Sequence, residues 1–136
     1  MTDKTNGRLI LVTGGGGFIG SHIVAGLLER GDAVRVLDNF STGKRENLQK
    51  LGSGGWEVHR DFELIEGDIR DPGALDRACT GVDGILHQAA LGSVPRSVED
   101  PATTQCVNAD GTLNVFWAAH KNQVPRVVYA STSAVY

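Results

Sequence analysis

Leu9-Ile10-Leu11-Val12-Thr13-Gly14-Gly15-Gly16-Gly17-Phe18-Ile19-Gly20 is the stretch that decides the fold. Its apolar run is too short for a helix and is bounded by glycines, so it reads as a strand. Gly14, Gly17 and Gly20 fall at i, i+3 and i+6. That spacing suits a dinucleotide turn: one glycine turns tightly, one lets the backbone approach a pyrophosphate, and one lets the helix pack close to the sheet. Free N–H groups at the start of the helix then face an anion. Four consecutive glycines are weak evidence in a chain with 18 of them. The strand before and the helix after supply the context that the motif requires.

Working outward, Ile19, Ile23 and Leu27 form an apolar stripe at i, i+4 and i+8, and Gly31 stands where a helix cap is expected. A second strand, Ala33 to Leu37, stops at Asp38. An acid about 20 residues past the glycines suits a ribose diol and repels a 2′-phosphate. The expected cofactor is therefore NAD. Asn39 to Arg45 then forms a small, polar loop past the adenosine end. Lys44 and Arg45 are either partners for a 2′-phosphate, which would favour NADP, or solvated surface charge.

The 136 residues suggest one domain, long enough to bury a real core. Hydrophobic content of 40% and charged content of 21% are ordinary for a globular protein. A net charge of −3 argues against a nucleic-acid partner. No apolar run approaches a membrane span, so no membrane partner is expected. Met1 to Arg8 is polar and lacks an apolar signal core, which suggests a cytoplasmic location. Cys79 and Cys106 lack metal-ligand spacing and read as small core residues in helices. The four histidines show no paired pattern, and no metal is expected.

Further along, a short helix is expected over residues 46–51, then a loop at Gly52-Ser53-Gly54-Gly55. Phe62 to Glu66 reads as a third strand ending at Gly67-Asp68-Ile69, and Asp71-Pro72 as the cap and first residue of a helix through Ala78. Asp68 lies at the strand's carboxyl end, where ligands collect in open α/β sheets. It either accepts from an adenine amino group or caps the local turn. Val82 to His87 is the fourth strand, and Gln88-Ala89-Ala90 leaves room for a ribose. His87 reads as a satisfied core histidine. Leu91 to Ser97 is expected as a loop, and Asp100-Pro101 as the start of a helix running to about Asn122. On that helix Val107, Gly111, Val115 and Ala119 share a face, with Gly111 permitting close packing. Arg126 to Ala130 is a fifth strand. The alternation of strand and helix implies an α/β, doubly wound parallel sheet in the order 3-2-1-4-5.

Six segments then match a known pattern: TGGGGFIGSH (13–22), LDNFSTGKRENL (37–48), GDIRD (67–71), HQAALGSVPRSVEDP (87–101), NADGTLN (108–114) and VVYASTSAVY (127–136). On these residues the chain resembles the N-terminal part of the extended short-chain dehydrogenase/reductases, and among them the nucleotide-sugar 4-epimerases. HQAALGSVPRS resembles the branch acting on UDP-N-acetylglucosamine and related UDP-hexoses. The resemblance implies a Rossmann domain over 1–136, truncated relative to the family, with NAD as cofactor and a UDP-sugar as substrate. It implies hydride removal from C4 of the sugar, a 4-keto intermediate, and return of hydride to the other face. It implies cofactor contacts from Gly14, Gly17, Phe18, Ile19, Gly20, Asp38, Asn39, Gly43, Asp68, Ile69, Gln88 and Ala89. Gly92, Ser93, Arg96 and Thr132 fall at substrate positions, and Ser133 at that of the catalytic serine or threonine. Asn108 is expected to support the site.

The family's Tyr-x-x-x-Lys pair lies beyond the equivalent of Ser133, past Tyr136, which matches a structural residue instead. The chain alone is therefore expected to be an inactive N-terminal fragment. A 4,6-dehydratase or decarboxylase parent, and a non-catalytic NAD-binding module or half of a split enzyme, are the alternative readings. Relatives are often dimers, so a homodimer through the long helix from Pro101 is also among the expectations.

Overall fold

A computed structural model describes residues 7–50 and 61–132. Strand β1 (Leu9–Thr13) leads into α1 (Phe18–Arg30), β2 (Ala33–Asp38), α2 (Arg45–Gln49) and β3 (Phe62–Glu66). Then come α3 (Pro72–Cys79), β4 (Gly84–His87), α4 (Val94–Glu99), α5 (Pro101–Gln105), a π-helical turn at Cys106–Asp110, α6 (Gly111–Lys121) and β5 (Val127–Tyr129). The strands form one sheet in the order β3-β2-β1-β4-β5, the order expected. All pairings are parallel, with Val12 beside both Val36 and Leu86.

Because side chains alternate along a strand, β1 feeds both faces of the sheet. Leu11 joins Leu37 and Ile85 against Leu75 and Ala78 of α3 and Val115 and Ala119 of α6. Ile10 and Val12 join Val34 and Val36 against Val24 and Leu27 of α1 and Leu48 of α2. Near-continuous apolar strands of this kind are what a sheet covered on both faces needs. Residues at the helix ends suit their positions. Gly31 takes φ 97°, and the N–H groups of Gly31 and Asp32 reach Leu28 and Leu27 carbonyls at 3.1 and 3.0 Å. Asp71 caps α3 through the Gly73 N–H at 3.0 Å, with Pro72 in its first turn.

Four expectations need correction. Ile19 is not part of the buried stripe; it is 63% exposed, and Gly20, Ser21, Val24 and Leu27 make the inner face. The first turn of α1 overhangs the glycine turn, and only Gly20 fits against the Gly14 carbonyl there. The segment expected as loop from Leu91 to Ser97 contains the start of α4, capped by Ser93. The helix from Pro101 does run to Lys121, but through a π turn rather than uniformly. Cys79 is buried, and desolvation pushes its thiol up to about 11, whereas Cys106 is only half-buried beside Arg70. The loop expected at Gly52 to Gly55 lies outside the described residues.

Arg35, on β2 next to the edge strand β3, reaches the end of α3. Its guanidinium donates to the carbonyls of Ala78 at 2.8 Å and Thr80 at 2.7 Å, and pairs with Glu63 at 2.8 Å. Cationic donors at a helix C-terminus satisfy carbonyls that the helix itself leaves unpaired. Replacing Arg35 with Met keeps most of the stem and removes these bonds. The expected loss is about 2 kcal/mol of unfolding free energy in urea denaturation; an unchanged midpoint would show that solvent replaces the guanidinium at no cost.

Candidate functional site

The carboxyl ends of β1, β2, β3 and β4 open onto one cleft of about 1260 Å³. It sits where the chain order reverses, with β1 between β2 and β4. In open α/β sheets that crevice is the usual ligand position. Gly14 turns with φ 73°, and a Cβ there would lie 2.8 Å from the backbone of Ala89. A side chain at Gly14 would therefore wedge the two sides of the cleft apart.

Asp38 ties this turn to the second strand. Its carboxylate is almost wholly buried and accepts the Gly16 N–H and the Phe40 N–H, each at 2.8 Å. The Gly16 carbonyl accepts from the Lys44 N–H at 2.9 Å and the Asn47 side chain at 2.8 Å. The glycine turn and the loop after β2 are thus one latched unit. At the neighbouring helix start, Gly17 supplies no side-chain cap, and the first turn of α1 holds no acid. Its amides are left for an anion, in the field of a 13-residue helix.

The twelve residues expected to contact the cofactor, from Gly14 to Ala89, all line this cleft. So do three of the four expected substrate residues, Gly92, Arg96 and Thr132. Ser93 does not. Its hydroxyl accepts the Arg96 N–H at 3.2 Å as the cap of α4. Ser133 lies outside the described residues. Phe18 and Ile19 stand at the mouth, 77% and 63% exposed, with the Phe18 ring edge-on to His22.

Asp68 is more occupied than expected. Oδ1 accepts the Arg70 N–H at 2.8 Å and Nε at 3.0 Å; Oδ2 accepts Arg70 Nη2 at 2.7 Å and Asn39 Nδ2 at 2.9 Å. These hydrogen bonds, those from the Arg70 side chain first, hold its pKa down at about 2. A carboxylate has about four acceptor positions, so an adenine amino group reaches Asp68 only by displacing Arg70 or Asn39. The Asp-x-Arg spacing at 68 and 70 was the available sign of this pairing. Arg45 is also engaged: it pairs with Glu66 and lies 4.4 Å over the Phe40 ring. Neither Lys44 nor Arg45 lines the cleft, which favours their reading as surface charge.

The long helix braces the far wall. Asn108, on the π turn, accepts the Leu91 N–H at 2.7 Å and donates to its carbonyl at 2.9 Å. π turns inside helices frequently occur at functional sites. A Cβ on Gly111 would come within 2.5 Å of Ile69 Cδ1, so the close packing expected there is real. His87 is the satisfied core histidine expected, bonded on both ring nitrogens to Thr13 and Thr112.

Fold and site together define an α/β dinucleotide-binding protein. The match of residues 10–136 to the NAD dependent epimerase/dehydratase family model places the chain in that family. It is similar to the UDP-N-acetylglucosamine 4-epimerase of Methanobrevibacter ruminantium M1, solved with UDP-N-acetylmuramic acid. That likeness is 39% identity with a TM-score of 0.83, over all of this chain and 40% of that one. The UDP-glucose 4-epimerase of Thermus thermophilus, solved with NAD, is 44% identical with a TM-score of 0.78, over 91% of this chain and 37% of that one. UDP-glucuronic acid decarboxylase 1 of Danio rerio is 40% identical over all 136 residues, which is 30% of its length. The chain thus spans about a third of the relatives it matches.

Burial lowers the His87 pKa from 6.5 to about 4. A depressed pKa means that the unfolded chain takes up the proton first. His87 therefore contributes its full stability above about pH 6.5 and loses it as the pH falls to about 4, up to about 3 kcal/mol. Asp68, also depressed, adds a second loss between about pH 4 and 2. Thermal melts between pH 7 and 4 should show the first decline, and His87→Gln should flatten it. An equal decline in the variant would assign it to other groups.

Proposed function

We propose that this chain is the cofactor half of an NAD-dependent UDP-sugar 4-epimerase. The observation that carries the reading is the latch at the end of β2. A buried Asp38 is locked to the glycine turn beside an uncapped helix start. This arrangement fits a dinucleotide: the α1 amides suit the pyrophosphate, and the remaining acceptor capacity of Asp38 suits a ribose diol. A 2′-phosphate would meet that carboxylate instead, which supports NAD over NADP. Gln88 and Ala89 are the residues proposed to face the central part of the cofactor, and Phe18 and Ile19 to cover it. When bound, NAD supplies hydride acceptance at C4 of the sugar and hydride return.

This chain's own residues then bind and orient. Gly92 and Arg96, on the wall braced by Asn108, are proposed to contact the UDP-sugar, together with Thr132. Ser133 is proposed to hydrogen-bond the reacting oxygen. The tyrosine that the resemblance implies as the base for the O4 proton is proposed to lie beyond the region matched here. The reaction is accordingly that of a protein of their full length.

The similarity to UDP-glucuronic acid decarboxylases over the whole chain supports a second reading. Oxidation at C4 of a UDP-glucuronic acid makes a ketone β to the carboxylate, which can then lose CO₂. Both reactions use the same first half, and differ in what the pocket holds afterwards.

A full-length protein carrying this chain should interconvert UDP-N-acetylglucosamine or UDP-glucose with its C4 epimer without net change of NAD. Release of CO₂ from UDP-glucuronic acid, with no epimer from either hexose, would establish the second reading instead. Asp38→Ala should weaken NAD⁺ binding by roughly tenfold and narrow the preference over NADP⁺. Equal titrations of wild type and variant with both nucleotides would remove Asp38 from the site.

A further inference from the structure

Both ring nitrogens of His87 are hydrogen-bonded to buried or half-buried side chains, and the chemistry above gives this histidine no task. It lies at the carboxyl end of β4, beside Thr13 of β1 in register and Tyr129 of β5 on its other side. Thr112 of α6 meets its other ring nitrogen. Thr13 Oγ1 accepts the Ala89 N–H at 3.2 Å and a share of the Gln88 N–H at 3.1 Å. Its two acceptor positions are then filled. The hydroxyl proton has to be given away, and His87 Nδ1 lies 2.6 Å off, with Thr13 fully buried and His87 nearly so.

We propose that Thr13, His87 and Thr112 form a directional hydrogen-bond relay that positions the Gln88–Ala89 turn against the cofactor. The Thr13 hydroxyl donates to Nδ1, so the ring is neutral and carries its proton on Nε2. Nε2–H donates to Thr112 Oγ1 at 2.9 Å. The opposite tautomer would aim a third donor at Thr13 Oγ1 and leave the buried hydroxyl proton without this acceptor. A buried group left unpaired is more costly than the bond is worth, so one tautomer is fixed. Burial, which lowers the His87 pKa, likewise keeps the ring neutral.

The consequence is mechanical. The floor of the cleft at Gln88 and Ala89 is oriented by a hydroxyl, and that hydroxyl by a ring anchored on the long helix. The same helix holds Leu91 through Asn108. Thr13 and His87 are thus positioning residues for cofactor binding, with the functional part of the inference resting on the NAD reading above.

Ring hydrogen–nitrogen NMR distinguishes the two tautomers, and calorimetry with NAD⁺ reads the consequence. Wild type should show His87 as the Nε2–H form. Thr13→Val, nearly the same shape without a hydroxyl, should weaken NAD⁺ by about tenfold or more, while Thr13→Ser stays within about twofold. A merely structural threonine would lower the melting temperature of Thr13→Val and leave its NAD⁺ affinity unchanged. An Nδ1–H ring in wild type, or wild-type affinity in folded Thr13→Val, overturns the relay. If Thr13→Val does not fold, Thr112→Val decides: Thr13 still holds the ring in the Nε2–H form there, but the ring has lost its anchor, so the relay requires a weaker NAD⁺ affinity, and wild-type affinity in the folded variant refutes it. If wild type binds no NAD⁺, the cofactor reading falls, and the ring tautomer still tests the relay by itself.

Discussion

The contact on which the site depends is the hydrogen bond from the Gly16 N–H to the Asp38 carboxylate. It joins the turn after β1 to the end of β2 across 22 residues of sequence. Without an acceptor, a buried backbone N–H at that point would be costly. Asp38 supplies one, and uses its second oxygen to hold the loop that follows. The carbonyl of the same glycine is held by Lys44 and Asn47. The glycine is thereby fixed through both its N–H and its carbonyl, and the amides at the start of α1 keep a constant direction. A dinucleotide site needs this rigidity because the anion is read by backbone groups that no side chain can re-aim.

The opposite wall is organised by the helix running from Pro101 to Lys121. Its π turn carries Asn108, the following turn carries Gly111 and Thr112, and one turn further on lies Val115 in the core. Asn108 holds Leu91, Gly111 admits Ile69, and Thr112 meets His87. The ends of β3 and β4 are therefore positioned by one rod packed on α3 and on the sheet. The proposed cofactor and substrate positions share this wall. A change of packing along the helix would be felt at both.

Much of this was legible in the sequence. Third-strand limits, the sheet order, Gly31 and the Asp71-Pro72 start all followed from periodicity and punctuation, because local sterics decide them. The residues expected from the glycine spacing and Asp38 to meet a cofactor line one cleft. The failures share a physical cause: they are settled by tertiary neighbours. Ile19 fits a helical stripe, but its turn projects past the sheet. The role of the Thr13 hydroxyl depends on a ring 74 residues away. Nothing local marks the extra residue of the π turn, and the saturation of Asp68 needs Asn39 from another loop. Within reach were α4, since Ser93 and Pro95 are start signals of the usual kind, and the pairing of Asp68 with Arg70 two residues on.

The central claim is that the latched turn and the carboxyl edge of the sheet form an NAD cleft. It is tested most directly by titrating NAD⁺ into the isotopically labelled chain and following backbone amides. The account predicts saturable shifts at Gly14 to Ile19, Asp38 and Asn39, Asp68 and Ile69, and Gln88 and Ala89, with the amino ends of the strands unmoved. Saturation with shifts elsewhere, or none at all in a folded chain, would contradict it.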